Sequence, residues 1–209
     1  MRIQAGWAKG TELAVPKGEL TRPTAAKVRA AAINMLAPYM ADGPFLDLCA
    51  GSGAMGLEAV SRGATGAAFI ELSRAALACL RSNAAEVSRR AQAQAMPQPE
   101  FLVIAGELPQ VLSRLKRSPL TPFATVFIDP PYKQAVALAK AALVALPELT
   151  QGDAVVVLES AVADGPELAL LASTQWSLLK QRSYGDTILS IFVKSSDHPK
   201  GNPDDAPDA

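Results

Sequence analysis

Apolar residues along the chain follow two spacings, one typical of strands and one typical of helices. The short apolar runs that predict buried strands are residues 45–49, 65–71, 101–105, 124–128 and 154–159. Between them, recurrence at every third or fourth position predicts helices at residues 54–62, 74–90 and 134–146. Two longer runs, 176–184 and 187–194, flank Gly185-Asp186 and predict a β-hairpin. The alternation indicates an α/β fold with a mostly parallel, doubly wound sheet that ends in an antiparallel hairpin.

Two segments lie outside this alternation. In the first 40 residues, the pattern around Gly6 and Gly10 predicts a β-hairpin over residues 2–15. A helix with Thr24 as its N-cap should follow, and Pro38 should end or kink it. We therefore predict an N-terminal hairpin and helix extension (1–40), an α/β domain (41–194) and a disordered acidic tail (195–209).

The stretch Phe45–Gly56 predicts a ligand site where the first strand meets the helix after it. Gly51 and Gly53 supply backbone that a ligand can approach closely, and the following helix presents free N–H groups. With Gly56 the spacing satisfies the dinucleotide fingerprint, and Glu71 follows where an acid that binds ribose hydroxyls is expected. A glycine turn without a ligand and a solvated glutamate at a strand end are the alternatives.

Asp47, near the end of the first predicted strand, indicates which adenosine-containing ligand fits. A carboxylate at this point repels a pyrophosphate and attracts an ammonium group. S-adenosylmethionine carries an adenosine, a cationic amino-acid tail and no phosphate, so it is the cofactor that we favour over a nicotinamide. The residues expected to bind it here are Asp47, Ala50, Gly51, Gly53, Glu71 and Leu72.

A second motif, Asp129-Pro130-Pro131-Tyr132, closes the predicted fourth strand. The prolines fix φ and lack an N–H, so the carbonyls beside them are rigid acceptors. Asp129 and the Pro130 carbonyl can accept the two hydrogens of an exocyclic amine, and Tyr132 can stack on the planar base. Pro-Pro is also a common loop breaker and Asp-Pro a common turn starter. The catalytic interpretation is favoured because the motif ends a strand at the sheet edge that carries the glycine turn. Glu159 and Ser160 end another strand there, and for them a structural role is favoured.

These motifs resemble the RsmD family, bacterial methyltransferases that modify the N2 amino group of a guanine in 16S ribosomal RNA. The resemblance covers residues 2–194 and is carried by Arg22-Pro23-Thr24, Val28-Arg29, the glycine turn, Asp129–Tyr132 and Tyr184–Thr187. It implies a Rossmann-like class I methyltransferase fold, S-adenosylmethionine as cofactor, and 16S rRNA within the assembled small subunit as partner.

The resemblance also implies further site residues. Thr24, Arg22 and Arg29 lie on a helix that flanks the ligand cleft in the family, where they would contact RNA or the methionine carboxylate. Glu107 stands where the family usually has an aspartate that meets the adenine amino group, and Leu108 is expected against the adenine ring. Because glutamate departs from that pattern, whether Glu107 contacts adenine stays open.

Charge is unevenly distributed, although the net charge of the 209 residues is zero. Residues 1–40 hold six basic and two acidic side chains, whereas residues 195–209 hold one lysine and four aspartates. The basic segment predicts contacts with RNA phosphates, at Arg2 and Lys9 as well as at Arg22 and Arg29. A solvated charged face is the alternative.

Composition narrows the function classes further. Two cysteines without a Cys-x-x-Cys spacing and one histidine, His198, argue against a metal site and a Ser-His-Asp scheme, so we expect no metal. No apolar run approaches the ~20 residues of a membrane span, and we expect a cytoplasmic monomer. Two alternatives stay open: a methyltransferase for adenine N6 or another planar NH2 group, and a non-catalytic ribosome-assembly module that retains the cofactor pocket.

Overall fold

The computed structural model describes residues 1–16, 23–40, 43–131, 134–171 and 175–195. Within these residues seven strands form one sheet. The strands are β1 (Phe45–Leu48), β2 (Gly66–Glu71), β3 (Glu100–Ala105), β4 (Phe123–Ile128), β5 (Thr150–Ala161), β6 (Trp176–Tyr184) and β7 (Thr187–Lys194). The α-helices are α1 (Pro23–Met40), α2 (Ala54–Ser61), α3 (Arg74–Ala93), α4 (Ala135–Ala145) and α5 (Gly165–Ala169), and a 3-10 helix spans Gln110–Arg117.

The sheet has the strand order β3-β2-β1-β4-β5-β7-β6. Strands β1 to β5 pair in parallel, and β7 pairs antiparallel with both β5 and β6. Phe45 packs with α1 and α2 on one face, and its neighbour Leu46 packs with α4 on the other. Because helices cover both faces, the inner strands β1 and β4 are buried along their whole length. The predicted doubly wound sheet with a terminal antiparallel hairpin is confirmed.

Most predicted elements are found close to their predicted positions. Both hairpin strands, Trp176–Tyr184 and Thr187–Lys194, match their predicted bounds. The Ser73 hydroxyl accepts a hydrogen bond from the Ala76 N–H at 3.4 Å, as expected of an N-cap. Strand β5 is longer than its predicted core of residues 154–159 and runs over Thr150–Ala161.

The first helix differs from its prediction at both ends. It begins at Pro23, so Thr24 lies inside the first turn and is not the N-cap. Proline suits the first helical position because the N–H that it lacks would be unpaired there anyway. The helix also continues through Pro38 to Met40, whose side chain is fully buried and holds the last turn in place.

The predicted N-terminal hairpin is reduced to a single antiparallel bridge between Arg2 and Glu12. Backbone hydrogen bonds still join its two arms, from the Ile3 N–H to the Thr11 carbonyl at 3.0 Å and from the Leu13 N–H to the Met1 carbonyl at 2.8 Å, and other backbone groups of the segment bond to α2. The N–H groups of Gln4 and Ala5 donate to the buried Glu58 carboxylate at 2.7 and 3.0 Å. The segment is therefore a short, irregular hairpin that packs against α2, and Ile3, Ala8 and Leu13 join the core on that face of the sheet.

Some predictions concern residues that the structure does not describe. Residues 196–209 of the predicted tail are outside it, as are Arg22 and Tyr132. Among the helices that are described, none combines the length and apolar character that crossing a bilayer requires.

Candidate active site

The two predicted motifs meet at the carboxyl edge of the sheet. Strands β1 and β4 are parallel neighbours that pair Leu48 with Ile128, and the Asp129 N–H donates to the Leu48 carbonyl at 3.2 Å. A cavity of about 540 Å³ opens at this edge, a size typical of a small-molecule site. Its walls consist of Cys49, Gly51, Ile70, Glu71, Leu72, Gly106, Glu107, Leu108, Asp129, Pro130, Pro131, Gln134, Leu138 and Glu159.

The three glycines of the turn serve different purposes. Gly51 lines the cavity with a φ of 55°, and a Cβ there would meet no atom within 4 Å. A Cβ on Gly53 would lie 2.6 Å from Leu80 Cδ1, and one on Gly56 would lie 2.5 Å from Phe69 Cε1. Gly53 and Gly56 are therefore required by packing, and only Gly51 presents backbone to a ligand.

Asp47 lies behind the turn and is not in the cavity wall. Its side chain is 1% exposed, and its Oδ2 accepts the Gly56 N–H at 3.0 Å, which caps the start of α2. The pKa of Asp47 is raised to about 8, mainly because the carboxyl is buried. The hydrogen bond from Gly56 lowers this pKa, and the negative charges of Asp129 and Glu71 raise it further. The sequence predicted contact with the ligand's ammonium group, but the strand directs this carboxylate to the backbone of the turn.

Ala50 likewise supports the turn through its backbone. Its N–H donates to the Ile70 carbonyl at 2.9 Å, and its own carbonyl accepts the Gly53 N–H at 2.8 Å. Neither Ala50 nor Gly53 belongs to the cavity wall. Of the predicted residues in the turn, Gly51 is the one that faces the cavity.

Glu71 connects the ends of β1 and β2. Its Oε2 accepts the Gly51 N–H at 2.7 Å, and its Oε1 accepts the N–H groups of Leu72 and Ser73 at 2.8 and 2.7 Å. A carboxylate has about four acceptor positions, so roughly one is left for a ligand. Glu71 can therefore hold the turn in shape and accept a hydrogen bond from a ligand hydroxyl.

The wall beside Glu71 is apolar. Leu72 is 63% exposed, and Leu108, three residues after the end of β3, is 8% exposed. Both line the cavity, and the exposed Glu107 lies there with them. The surface suits a flat ring with a polar edge.

Two carboxylates form the opposite wall. Asp129 and Glu159 follow β4 residue Ile128 and β5 residue Leu158, which are register partners in neighbouring parallel strands. Asp129 is exposed to the cavity, and desolvation by the surrounding walls raises its pKa to about 6. The half-buried Glu159 has its pKa raised to about 8, first by burial and then by the charge of Asp129.

Three residues of the cavity region were missed or undervalued by sequence reasoning. Glu159 was assigned a structural role, although its position at a strand end on the ligand edge was the available signal. Cys49 was taken as a packing residue, yet it lines the cavity with a φ of 64°, a conformation that costs a non-glycine residue on the order of 1 kcal/mol. Burial is the main cause that raises the pKa of its thiol to about 12.

The third missed residue is Asn83 on α3, which is buried beneath the turn. Its Nδ2 donates to the carbonyls of Ser52 and Ala14, both at 2.9 Å, and its Oδ1 accepts the Ala14 N–H at 2.8 Å. The N-terminal segment is thereby bonded to the same side chain as the glycine turn. A polar residue on the apolar face of the predicted helix was the signal for it.

The remaining predicted site residues lie away from the cavity or beyond the description. Arg2 is exposed and pairs with Glu12, and Lys9 is exposed. Arg29 is half-buried, with its Nη1 3.1 Å from Met1 Sδ, and burial lowers its pKa against the opposing charge of Glu58. The structure describes the backbone of Thr24 in α1, and neither Tyr132 nor Arg22 is described.

Known structures share this fold. The ribosomal protein L11 methylase of Lactobacillus delbrueckii subsp. bulgaricus superposes with a TM-score of 0.62 at 12% identity, over 87% of this chain and 82% of that chain. A protein of Thermus thermophilus reaches a TM-score of 0.70 at 28% identity, over 91% of this chain and 98% of its own. A putative methylase of Haemophilus influenzae superposes with a TM-score of 0.63 at 29% identity, over 94% of this chain and 99% of its own, and the fold is that of a class I methyltransferase.

Sequence similarity specifies the family. Residues 1–193 match the family described as Conserved hypothetical protein 95. The ribosomal RNA small subunit methyltransferase D of Escherichia coli K12 is 32% identical over 200 residues, which is 94% of this chain and 91% of that protein. The protein of the same name from Haemophilus influenzae is 31% identical over 88% of this chain and 89% of its own. The chain belongs to this family, the RsmD methyltransferases.

Proposed function

We propose that this protein transfers the methyl group of S-adenosylmethionine to the exocyclic N2 amine of a guanine in the 16S rRNA of the small ribosomal subunit. The observation that carries the proposal is the shared cavity, which has Gly51 and Glu71 on one wall and Asp129 and Pro130 on the other. The name of the Escherichia coli relative supports small-subunit ribosomal RNA as the substrate.

The cofactor wall fits S-adenosylmethionine by its chemistry. Glu71 would accept a ribose hydroxyl at its remaining acceptor position, and Leu72 and Leu108 would cover the adenine. Glu107 would meet the adenine amino group, and the Gly51 backbone would face the amino-acid tail. Thr24 is a further candidate for that tail. When bound, the cofactor supplies an electrophilic methyl group on a sulfonium.

The wall formed by Asp129 and Pro130 would make the guanine amine more nucleophilic. The guanine N2 lone pair is delocalised into the ring, so the amine is a poor nucleophile. When the Asp129 carboxylate and the Pro130 carbonyl accept its two hydrogens, the nitrogen is drawn toward tetrahedral geometry and the lone pair is localised. Pro131 stiffens the corner, and Tyr132 would stack on the base after it leaves its own stack. Positioning and desolvation then contribute most of the rate, and the proton leaves after methyl transfer.

The N-terminal part, residues 1–40, is proposed to contact RNA beside the catalytic domain at 41–194. Lys9 and Arg2 are exposed on it, and Arg22 and Arg29 are further candidates. Contacts of this kind weaken with salt because counterions are released on binding. We propose that the protein acts in the cytoplasm as a monomer on the assembled subunit.

Transfer of a labelled methyl group to small subunits lacking the modification, to naked 16S rRNA and to DNA tests the proposal. The expected product is N2-methylguanosine in 16S rRNA, with subunits preferred over naked RNA, as identified by nuclease digestion and mass spectrometry. Methylation of adenine, or of DNA alone, would contradict it. Cofactor binding without transfer to any of these substrates would favour an assembly module.

A further inference from the structure

Glu159 lies beside Asp129 on the wall that receives the target base. Ile128 and Leu158 pair in register, so the next residue of each strand, Asp129 and Glu159, reaches the same edge, and both line the cavity. On the other side, Glu159 is paired with apolar Leu189 of β7. The fold gives this carboxylate no ionic partner among the residues that the structure describes, and none of them donates a hydrogen bond to it.

The acidic surroundings of Glu159 do not correspond to a metal site. In the described part of the chain, no three His, Cys, Asp or Glu side chains are grouped so as to hold a metal ion. The other titratable groups nearby are Asp47, Cys49 and Glu71, which lie beyond Asp129 on the β1 and β2 side. A ligand that offers adjacent hydrogen-bond donors is what two neighbouring carboxylates can accept.

Guanine differs from other bases in the atom beside its exocyclic amine. Its N2 amine adjoins N1–H, so this edge presents two neighbouring donors. The N6 amine of adenine adjoins the bare acceptor N1, and the N4 amine of cytosine adjoins the bare acceptor N3. A pair of carboxylates therefore matches guanine, whereas adenine or cytosine would turn a lone pair toward one of them.

We propose that Glu159 is a specificity residue, whose carboxylate accepts the N1–H of the target guanine while Asp129 accepts a hydrogen of the N2 amine. This inference rests on the proposed function and explains how a motif able to hold any planar NH2 group selects guanine. A site built to bind a polar hydrogen rejects analogues that lack it, because its own group is then left unpaired.

The comparison that isolates this contact uses guanine and 2-aminopurine in the same RNA. 2-Aminopurine keeps the N2 amine but has a bare N1 acceptor. The target nucleotide is first located by mass spectrometry of the methylated product and is then replaced by 2-aminopurine. Wild-type protein and Glu159→Gln are each assayed for kcat/KM on both RNAs, and the ratio of the two preferences cancels the intrinsic reactivity of the bases.

Above pH 8, where Glu159 is ionised, the wild-type protein is expected to prefer guanine by about 100-fold or more, since each unpaired polar group is costly. Glu159→Gln should narrow that preference at least tenfold, because the amide can donate to the bare N1. The rate of guanine methylation by the wild type should rise with pH near 6 as Asp129 ionises and again near 8 as Glu159 ionises, and only the second rise should be absent in Glu159→Gln. Glu167→Gln, the same change at an exposed position on α5, should leave the preference unchanged.

An unchanged preference in Glu159→Gln would overturn the inference while guanine methylation by the wild type leaves the proposed function intact. Absence of guanine methylation by the wild type would overturn both. Affinity for S-adenosylhomocysteine and the melting temperature serve as controls for folding. If Glu159→Gln fails them, Glu159→Asp is measured instead, and failure of both variants would assign Glu159 a structural role and overturn the inference.

Discussion

The carboxylate of Asp47 accepts the backbone N–H of Gly56 at 3.0 Å and thereby joins the end of β1 to the first turn of α2. This bond sets the shape of the turn whose Gly51 faces the cavity. Asp47 accordingly acts on the cofactor site through the backbone.

Replacing Asp47 by alanine should destabilise the protein by about 1–3 kcal/mol, because the Gly56 N–H is left buried without an acceptor. Asp47→Asn keeps an acceptor oxygen and should retain most of the stability and the affinity for S-adenosylhomocysteine. Urea denaturation and isothermal titration calorimetry measure the two effects. A large loss of cofactor affinity in a stable Asp47→Asn protein would instead indicate direct contact with the ligand's ammonium group.

The same residue predicts a dependence of stability on pH. The pKa of Asp47 in the folded protein is about 8, above its ordinary value of 3.8. Its contribution to stability is therefore fully present below the ordinary pKa and is lost as pH rises through the folded value. Asp47→Asn cannot ionise at this position, so it does not lose this contribution. The melting temperature of Asp47→Asn minus that of the wild type should therefore increase from pH 5 to pH 9, as measured by calorimetry. A constant difference across this range would contradict the assignment.

Asp129→Asn should lower kcat by about 100- to 1000-fold, since the neutral amide oxygen is a weaker acceptor for the amine than the charged carboxylate. Affinity for S-adenosylhomocysteine should stay within a few-fold of wild type because the cofactor wall is separate. Single-turnover methyl transfer and calorimetry give the two numbers. Glu148→Gln, an exposed carboxylate paired with Lys116, is the matched control and should keep full activity. Retained turnover in Asp129→Asn would remove the role assigned to this residue.

Glu71→Gln should weaken S-adenosylhomocysteine binding by about 10- to 100-fold. The amide offers one acceptor oxygen where the carboxylate accepts three backbone N–H groups, and charge-assisted bonds of this kind contribute about 1.5–3 kcal/mol. Calorimetric titration measures the change. Glu100→Gln, on the exposed start of β3, should bind as the wild type does. Equal affinities for the two variants would argue against Glu71 as a cofactor residue.

Gly56→Ala should cost about 1–3 kcal/mol of stability, because the added methyl group would lie 2.5 Å from Phe69 Cε1 in a closely packed core. Gly152→Ala adds the same methyl group where no atom lies within 4 Å and should be nearly neutral. Denaturant midpoints compare the two. Equal midpoints would show that α2 can shift away from β2 at little cost.

Lys9→Ala should weaken binding to ribosomal RNA and lower the slope of log affinity against log salt by about one. Arg2→Ala should change the slope less, because Arg2 already pairs with Glu12. Lys140→Ala is the matched control, since this exposed lysine lies on α4 at the other face of the sheet. Filter binding over a range of salt concentrations provides the slopes. A larger effect of Lys140→Ala would indicate that RNA binds on the face of the sheet that carries α4.

The order of strands and helices, the glycine turn and the Asp129-Pro130-Pro131 corner were all predictable from the sequence. Each depends on neighbouring residues: periodicity reports which side of an element is buried, glycines permit positive φ, and prolines fix the backbone locally. Leu72, directly after the predicted strand 65–71, and Leu108, which the family resemblance assigned to the adenine ring, both line the cavity.

Which groups meet across the fold was decided by tertiary structure alone. The partner of Asp47 depends on how α2 packs on the sheet, and the N-terminal segment is held there because Glu58 on α2 accepts the backbone N–H groups of Gln4 and Ala5. Glu159 became part of the wall through the register of β5 against β4. Such contacts join residues distant in the chain, and local patterns carry no information on distance or burial between them.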